Sequence, residues 1–550
     1  MTPSKFLHLL LTAGLAALLG GSLACGAPRG ATDEKATEAT GPQRGGSIVV
    51  AFTGDISGVN VLATPSSQPT TEIAQRLFLT LLEEQPDYQD DPPTFRPRLA
   101  ETWEFSDEHK VLTFHLRHDV VWSDGVPLTA EDVRWTWQAQ VSPEVHWDNS
   151  SLKSSVEDVE VVDPYTVRFR FSHAYPGQLV HANEGVILPK HAWSKLPFDQ
   201  WHSNGPWFID HLVVSGPFTL ESWVPQQEVV LKRNDLYFEE GKPYLDRVIL
   251  RIIPDASSQL TQLLGGDIDL VRQVPPAMAE KIAENPRTKL ITFWPPQFTT
   301  LIWNLENPLF KTAEVRRAMT LAIDRQTIVD TIWGSFARTS ASPYISSVWG
   351  HDPDIEPLPY DPEAAKELLA GQGFEDSDGD GIVDRQGKPF RFDILVNSGN
   401  QERVDAAIMI QAQLRRIGVD AQPLTLDWNT VGDRLDERKF DSTITGLAVE
   451  TSLDLTPYFH TDTAGVRLNL GSYSNPEVDH LLEEARAQLD LEDTKPYLYR
   501  IQEILQQDQP HTILWEPQRT IGLSRRVQDA QPNAISTLAR LEDWWVLSGR

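Results

Sequence analysis

After Gly45 the chain contains no Pro-, Gly- or Ser-rich linker and no internal repeat of about 20 to 50 residues. Its 550 residues nevertheless exceed the roughly 250 to 300 residues that one hydrophobic core usually serves. Two or three lobes are therefore expected, and without a linker they must be joined by segments that cross between them. Apolar residues make up 40% of the chain and charged residues 23%, with 17 Trp, which is the composition of a globular protein with large aromatic side chains to bury.

The N-terminal region has the order of an export signal. Lys5 precedes an apolar run at residues 6–21, and small residues follow that run. The run is shorter than the roughly 20 residues of a membrane-spanning helix. We therefore predict that residues 1–24 are a signal peptide and that the protein acts outside the cytoplasm.

The only cysteine of the chain follows this segment directly. Residues 22–25 (SLAC) resemble a bacterial lipobox, which implies that Cys25 is lipidated and anchors the protein to a membrane. Residues 26–44 contain no large apolar side chain, so residues 25–44 are predicted to be the lipidated cysteine and a flexible spacer. The alternative is an ordinary signal peptide followed by an incidental cysteine. A single cysteine also excludes an intrachain disulfide and a CxxC metal site.

Charge and motifs argue against several classes of function. The chain carries 48 Lys plus Arg against 78 Asp plus Glu, a net charge of -30, and no domain-sized basic stretch, which argues against nucleic-acid binding. A solvated acidic surface explains this charge, and a cleft that attracts cations is the alternative. The motifs GxSxG, HExxH, GxGxxG and the P-loop are absent, and the 14 His form no ligand-spaced cluster. The chain is not expected to be an enzyme; a secreted hydrolase with a dispersed triad is the alternative.

Hydrophobic periodicity predicts both strands and helices. Strand patterns occur at residues 47–52, 112–116, 159–161, 167–171 and 390–396. Thr129, with Asp132 three residues later, is predicted to cap a helix. Further helices are predicted behind Thr312, behind Asn475 and at residues 408–414. The first half is therefore expected to be α+β and the second half α/β.

Four blocks of sequence motifs follow one another along the chain. They are PRLAETW at 97–103 with TFHLR at 113–117, WSDG at 122–125 and LTAEDV at 128–133; SGPF at 215–218 with RND at 233–235 and KPYLD at 242–246; VRRA at 315–318 with AIDR at 322–325; and YDP at 360–362 with LL at 368–369. In this order they resemble the bacterial extracellular solute-binding proteins of the peptide and nickel class, family 5, which includes oligopeptide- and dipeptide-binding proteins.

The resemblance implies an α/β fold of the periplasmic-binding-protein type, a two-lobed clamp (type II, cluster C) with an additional α+β subdomain. Its lobes are assembled from discontinuous segments. Lobe 1 is expected from residues 45–75, 205–297 and 522–550, the additional subdomain from 76–204, and lobe 2 from 298–521. In such a clamp the ligand favours closure, because the closed state makes contacts that the open state lacks.

The resemblance also indicates ligand-binding residues. In peptide-binding relatives an acidic residue meets the α-ammonium of the peptide, and Glu450 takes that place here; a solvated loop acid is the alternative. Trp428 takes the place of a cleft tryptophan that packs a ligand side chain; a core tryptophan is the alternative. Dipeptide-selective relatives place a carboxylate-binding arginine before the helix at Ile410, whereas this chain has VNSGN at 396–400 and Arg403 several positions later. Strict dipeptide selection is therefore not expected.

An acidic segment fits part of a calcium-loop pattern. Asp376, Asp378, Asp380 and Asp384 fall at positions 1, 3, 5 and 9 of the pattern, but position 12 is Gly387, so the usual bidentate acid is missing. Calcium (Ca2+) is the one candidate cofactor, and an acidic surface turn is the alternative.

Together these features predict a substrate-binding lipoprotein of an ABC importer. It is expected to capture a peptide by hinge closure and to deliver it to the permease and ATPase of the transporter. The protein is expected to be a monomer, periplasmic or at the cell surface, held to the membrane through Cys25. A nickel chelate, a sugar or an opine remains an alternative ligand within the same family.

Overall fold

The computed structural model describes residues 41–65, 67–463 and 468–547. The predicted signal peptide, Cys25 and nearly all of the predicted spacer lie outside the described residues. The described residues from Gln43 onward form one compact unit. Across the described residues, no helix has both the length and the apolar character that a membrane span requires.

The described residues form 23 strands and 15 α-helices. The strands are β1 (Ser47–Phe52), β2 (Leu82–Glu84), β3 (Phe95–Pro97), β4 (Ala100–Ser106), β5 (Val111–Leu116), β6 (Val156–Asp163), β7 (Thr166–Phe171), β8 (Phe218–Val224), β9 (Glu228–Arg233), β10 (Arg247–Ile252), β11 (Leu270–Val271), β12 (Thr288–Phe293), β13 (Gln297–Trp303), β14 (Ala337–Arg338), β15 (Asp384–Arg385), β16 (Lys388–Pro389), β17 (Arg391–Asn397), β18 (Asp420–Leu426), β19 (Ser442–Ala448), β20 (His511–Pro517), β21 (Arg519–Ser524), β22 (Val527–Gln528) and β23 (Trp545–Val546). The helices are α1 (Gln68–Leu77), α2 (Ala130–Val141), α3 (Gln178–Asn183), α4 (Lys190–Trp193), α5 (Gly205–Asp210), α6 (Ala256–Gly265), α7 (Pro276–Glu284), α8 (Ala313–Ala322), α9 (Arg325–Ile332), α10 (Pro362–Gly371), α11 (Gln401–Arg415), α12 (Trp428–Asp436), α13 (Thr456–Phe459), α14 (Pro476–Arg486) and α15 (Lys495–Asp508).

A seven-stranded mixed sheet has the order β12-β21-β11-β1-β10-β9-β8. Its central strand β1 is parallel to β10 and β11, and the strand predicted at residues 47–52 is confirmed with the same bounds. A central parallel strand is buried on both faces, which explains its continuous apolar run. β11 is antiparallel to β21, with Leu270 opposite Leu523 and Val271 opposite Gly522. The carboxyl ends of β1 and β11 therefore point toward the start of β21.

A six-stranded sheet has the order β14-β20-β13-β19-β17-β18. Both β18 and β19 are parallel to β17, so these three strands end at the same edge. The strand and helix predicted at 390–396 and 408–414 are confirmed as β17 and α11. Asn475 caps α14 by accepting the N–H of Glu477 at 2.9 Å, as predicted.

The third large sheet is antiparallel and has the order β4-β5-β7-β6. The strands predicted at residues 159–161 and 167–171 are confirmed as β6 and β7, which pair as a hairpin. The predicted cap is confirmed because the N–H of Thr129 donates to Asp132 Oδ2 at 2.9 Å in a capping box at the start of α2. This part of the chain is α+β, as expected.

Two short segments connect the seven-stranded sheet with the six-stranded sheet. Residues 294–296 lead from β12 to β13, and Gln518 leads from β20 to β21. On either side of the crossing the strands pair with each other, β12 with β21 and β13 with β20. Two adjacent crossings of this kind are typical of a hinge between lobes. The residue ranges assigned to each lobe stay a prediction.

Candidate functional site

The carboxyl ends of three parallel strands lie at the edge of the six-stranded sheet nearest the hinge. β17 ends at Asn397, β18 at Leu426 and β19 at Ala448. Just beyond β19, the N–H of Val449 donates to the carbonyl of Pro296 at 2.8 Å, which places this edge beside the crossing segment. Ligands of open α/β sheets bind outside the carboxyl ends of the strands, so this edge is the candidate site.

β19 has one side that is mostly free of strand partners. On one side, β13 pairs with it along its full length from Ser442 to Ala448. On the other side, β17 pairs only with Ser442 and Thr443. No other strand in the described part of the chain pairs with residues 444–448 on that side. Unpaired N–H and C=O groups at a strand edge are a template for another extended chain.

Glu450 follows β19 by two residues, and its side chain is 49% exposed. Its Oε2 atom lies 3.7 Å from His181 Nε2 and accepts a hydrogen bond of 3.3 Å from Ser452 Oγ. Short charge-assisted bonds measure about 2.7 to 2.9 Å, so neither neighbour saturates this carboxylate. Contact with a ligand ammonium stays a prediction.

Trp428 is the first residue of α12 and is 60% exposed. Asp427 caps the helix, because its carboxylate accepts the N–H of Thr430 at 3.1 Å and the hydroxyl of the same residue at 2.6 Å. Trp303 and Trp515, which are core residues, are at most 1% exposed. The alternative interpretation of Trp428 as a core tryptophan is therefore wrong. Its contact with a ligand stays a prediction.

Arg403 lies at the same edge, although its sequence position did not identify it as a binding residue. Its backbone N–H is held by the N-cap residue Asn400 at 2.9 Å, and its guanidinium occupies the space that a Cβ at Gly446 of β19 would need. Burial lowers the pKa of Arg403, and the nearby Glu402 only partly opposes this. Local sequence patterns cannot predict this contact, because it joins two separate elements. We term Arg403, Trp428, Glu450 and the free side of β19 the strand-edge site.

Thr451 and Trp349, which contact each other beside Glu450, also contact β2 and the loop after it. Thr451 Oγ1 donates to Glu84 Oε1 at 2.6 Å, and the N–H of Trp349 donates to the carbonyl of Tyr88 at 2.9 Å. The Tyr88 ring is buried in the same apolar cluster as Trp349. Burial raises the pKa of Glu84 to about 7, although the bond from Thr451 lowers it. These contacts hold the two parts of the clamp together next to Glu450.

The structure gathers three of the four residues of the predicted calcium loop. Asp376, Asp378 and Asp380 are exposed, and their carboxylates lie within 4.8 Å of one another. Asp384 is not part of this group: it accepts the N–H of Ser377 at 3.0 Å and the N–H of Gly387 at 3.1 Å. The four-residue ligand set is therefore not assembled, and calcium binding stays a prediction.

A cavity of about 380 Å³ lies between α1, the β2–β3 hairpin and the segment at 531–542, and none of Arg403, Trp428 and Glu450 lines it. Its walls include most of a set of paired charges, in which Arg98 donates to Glu542 at 2.8 Å and to Glu239 at 3.0 Å. We term this set the cavity network; it comprises Glu83, Arg98, Glu239, Arg540 and Glu542. These ion pairs join separate segments of the chain, which favours a role in stability, while Glu542 Oε2 has no hydrogen-bond partner among the described residues.

Comparison with protein families shows to which family the chain belongs. The profile described as "Bacterial extracellular solute-binding proteins, family 5 Middle" matches residues 94–465, more than half of the sequence. The chain belongs to this family. The family predicted from the four sequence blocks is confirmed. The fold is the two-lobed clamp of family 5, formed by the three large sheets and the hinge.

Relatives of this family 5 chain cover nearly its whole length. The oligopeptide-binding protein AppA of Bacillus subtilis is 29% identical over 532 residues, which cover 95% of this chain and 96% of AppA. The periplasmic oligopeptide-binding protein OppA of Escherichia coli is 25% identical over 504 residues, with 86% and 87% covered. The structure of AppA with a nonapeptide has a TM-score of 0.78 at 29% identity and covers 92% of this chain and 100% of AppA. NikZ of Campylobacter jejuni with Ni(L-His) has a TM-score of 0.78 at 22% identity, covering 91% and 99%, and is similar in fold.

Proposed function

We propose that this family 5 protein captures peptides and delivers them to an ABC importer. The observation that carries the proposal is the free side of β19 at residues 444–448, which ends beside Glu450. Its alternating N–H and C=O groups fit the backbone of an extended peptide whatever the peptide side chains are. A sugar, an opine or a metal chelate has no such row of donors and acceptors. The similarity to the oligopeptide-binding protein AppA along 95% of this chain supports the proposal.

In this proposal the strand-edge site holds the N-terminal end of the peptide. Glu450 receives the α-ammonium, because a desolvated ammonium requires a charged partner. Trp428 offers an apolar face to a ligand side chain. Backbone pairing then supplies affinity that is tolerant of peptide sequence.

Transport follows from closure of the clamp. The peptide stabilises the closed arrangement because it contacts both lobes, and the permease and ATPase of the transporter respond to that arrangement. The protein acts as a monomeric carrier with no chemical step of its own. Lipidated Cys25 keeps it at the membrane outside the cytoplasm, which raises its effective concentration near the permease.

Native mass spectrometry of protein purified without refolding tests this function. We expect a series of adducts with the masses of short peptides. The control is the same protein after unfolding and refolding, which should carry no adducts. A single adduct with the mass of a metal chelate or a sugar would contradict peptide capture, and turnover of a substrate library by the purified protein would indicate an enzyme.

A further inference from the structure

A short segment bridges the hinge without being one of its two crossings. Residues 333–338 follow α9 and end with β14, and we term them the hinge strap. The ring of Trp333 packs against the core of the six-stranded sheet, with its centroid 6.1 Å from that of Trp515. Phe336 instead packs against an apolar cluster of the seven-stranded sheet that includes Val271 of β11. The hinge strap is therefore attached to the cores of both sheets.

The hinge strap also holds both crossing segments. The carbonyl of Phe336 accepts the N–H of Gln518 at 2.8 Å. The guanidinium of Arg338 lies over the ring of Trp294, with 4.0 Å between its central carbon and the ring centroid. The same guanidinium donates from Nε to Oε2 of Glu516 at 2.8 Å, and Glu516 is 1% exposed. Arg338 thus joins the first crossing to the end of β20, while Phe336 holds the second crossing.

These contacts depend on how the two sheets are oriented. Trp294 follows β12 of the seven-stranded sheet, whereas Arg338 belongs to β14, which is hydrogen-bonded to β20 of the six-stranded sheet. A rotation of one sheet against the other therefore moves Trp294 relative to Arg338. Pro295 and Pro296 complete the first crossing, and their fixed φ angles leave few torsions that could absorb the rotation and preserve the stack.

The hinge strap contacts occur together with contacts across the clamp. In the same arrangement Thr451 donates to Glu84, and Trp349 donates to the carbonyl of Tyr88. Interactions made in only one of two arrangements shift the equilibrium toward that arrangement. A cation over an aromatic ring is enough to change such an equilibrium about 2- to 30-fold.

We propose that the hinge strap favours the closed arrangement of the clamp, with Arg338 as the positioning residue that ties the first crossing to the six-stranded sheet. The hinge strap thereby sets what fraction of the protein is closed before any ligand arrives. This inference goes beyond peptide capture, and it is tested without a ligand, so its outcome does not depend on what the protein binds.

Pulsed electron spin resonance on refolded, ligand-free protein measures the closed fraction. Spin labels at Gln138→Cys of α2 and Ala412→Cys of α11, both exposed positions, report the distance across the clamp in a Cys25→Ser background. Arg338→Leu removes the charge over Trp294 and should lower the ratio of closed to open protein about 2- to 30-fold. Arg338→Lys keeps a cation and should lower the ratio less.

Two further variants separate this role from general stability. Phe336→Ala loosens the other attachment and should shift the ratio in the same direction as Arg338→Leu. Arg391→Leu is the matched control, because it removes an exposed ion pair with Asp420 on the same six-stranded sheet and should leave the ratio unchanged.

The result for Arg338→Leu decides the matter, because the Arg338 side chain is 37% exposed and its replacement leaves the apolar cores intact. The proposal is overturned if this variant has the wild-type ratio of closed to open protein, or a higher one. A lower stability in denaturant with an unchanged ratio would show that the hinge strap only stabilises the fold, and would overturn the proposal as well.

Discussion

The cavity network and the strand-edge site both contain arginine and glutamate side chains. Within the described part of the chain, only those of the cavity network form close ion pairs. In the cavity network Arg98, whose side chain is 9% exposed, bonds to two carboxylates within 3.0 Å. In the strand-edge site the guanidinium of Arg403 has no hydrogen bond and no close ion pair among the described residues, only the nearby charge of Glu402, and Glu450 has only weak partners. Because a buried charge is stable only when it is compensated, the ion pairs of the cavity network are expected to contribute to stability, whereas ligand binding by the half-exposed Glu450 stays a prediction.

The largest expected effect is a loss of stability from a substitution in the cavity network. Glu542 is 1% exposed. Burial alone would raise its pKa, but Arg98, Arg76 and Arg540 together outweigh burial and hold the pKa of Glu542 at about 2. Glu542→Gln should lower the free energy of unfolding by about 3 to 5 kcal/mol, because Arg98 then stays buried with less compensation. Denaturant unfolding measures this, with the exposed Glu240→Gln as a control that changes stability by less than about 0.5 kcal/mol.

The pH dependence of this variant sharpens the test. The folded pKa of Glu542 lies below its unfolded value, so its contribution in wild type is present above about pH 4.5. That contribution should disappear as the pH falls from about 4.5 toward about 2, and Glu542→Gln should lack this loss. Equal stability of the two proteins at neutral pH would show that the network does not hold the fold.

A smaller effect on stability is expected from a substitution of Glu84, which lies between the cavity network and the strand-edge site. Burial, with the nearby carboxylates of Glu184, Asp87 and Glu450, raises its pKa to about 7. Its neutral form is favoured in the folded protein, so stability is full below about pH 4.5 and is lost as the pH rises through about 7. Glu84→Gln should therefore be more stable than wild type at pH 8, by up to about 3 kcal/mol. Below about pH 4 the two proteins should unfold at nearly the same temperature, and a gap in stability that does not change with pH would contradict this account.

The smallest expected effect is at Trp428. Because its ring is 60% exposed, Trp428→Ala should change stability by less than about 0.5 kcal/mol, while peptide affinity falls by about 1 kcal/mol. Trp201, which is 1% exposed, provides the contrast, since Trp201→Ala should cost about 3 to 5 kcal/mol of stability. Calorimetry and thermal unfolding of both variants measure the two quantities. A loss of stability without a loss of affinity in Trp428→Ala would remove this residue from the site.

Local patterns in the sequence predicted the elements but not the contacts between them. β1 and the Thr129 cap were predictable because a buried strand and a capping box depend on neighbouring residues. The bond between Thr451 and Glu84 joins residues 367 positions apart, and no period or spacing encodes such a pair. The calcium pattern includes Asp384, which in the structure accepts the N–H groups of Ser377 and Gly387 and lies outside the group of three aspartates.

The resemblance to family 5 indicated Glu450 as the residue that meets the ligand ammonium, and this prediction can be tested directly. Glu450→Gln should weaken binding of a free peptide by roughly 2 to 5 kcal/mol, because the ligand ammonium stays buried without its counter-charge. N-acetylation of the peptide removes that ammonium and should weaken binding to wild type by a similar amount. If Glu450 holds the amino terminus, the two changes act on one interaction and their effects should not add. Independent, additive losses, or no loss from either change, would contradict the central claim that the carboxylate of Glu450 in the strand-edge site binds the amino terminus of a peptide.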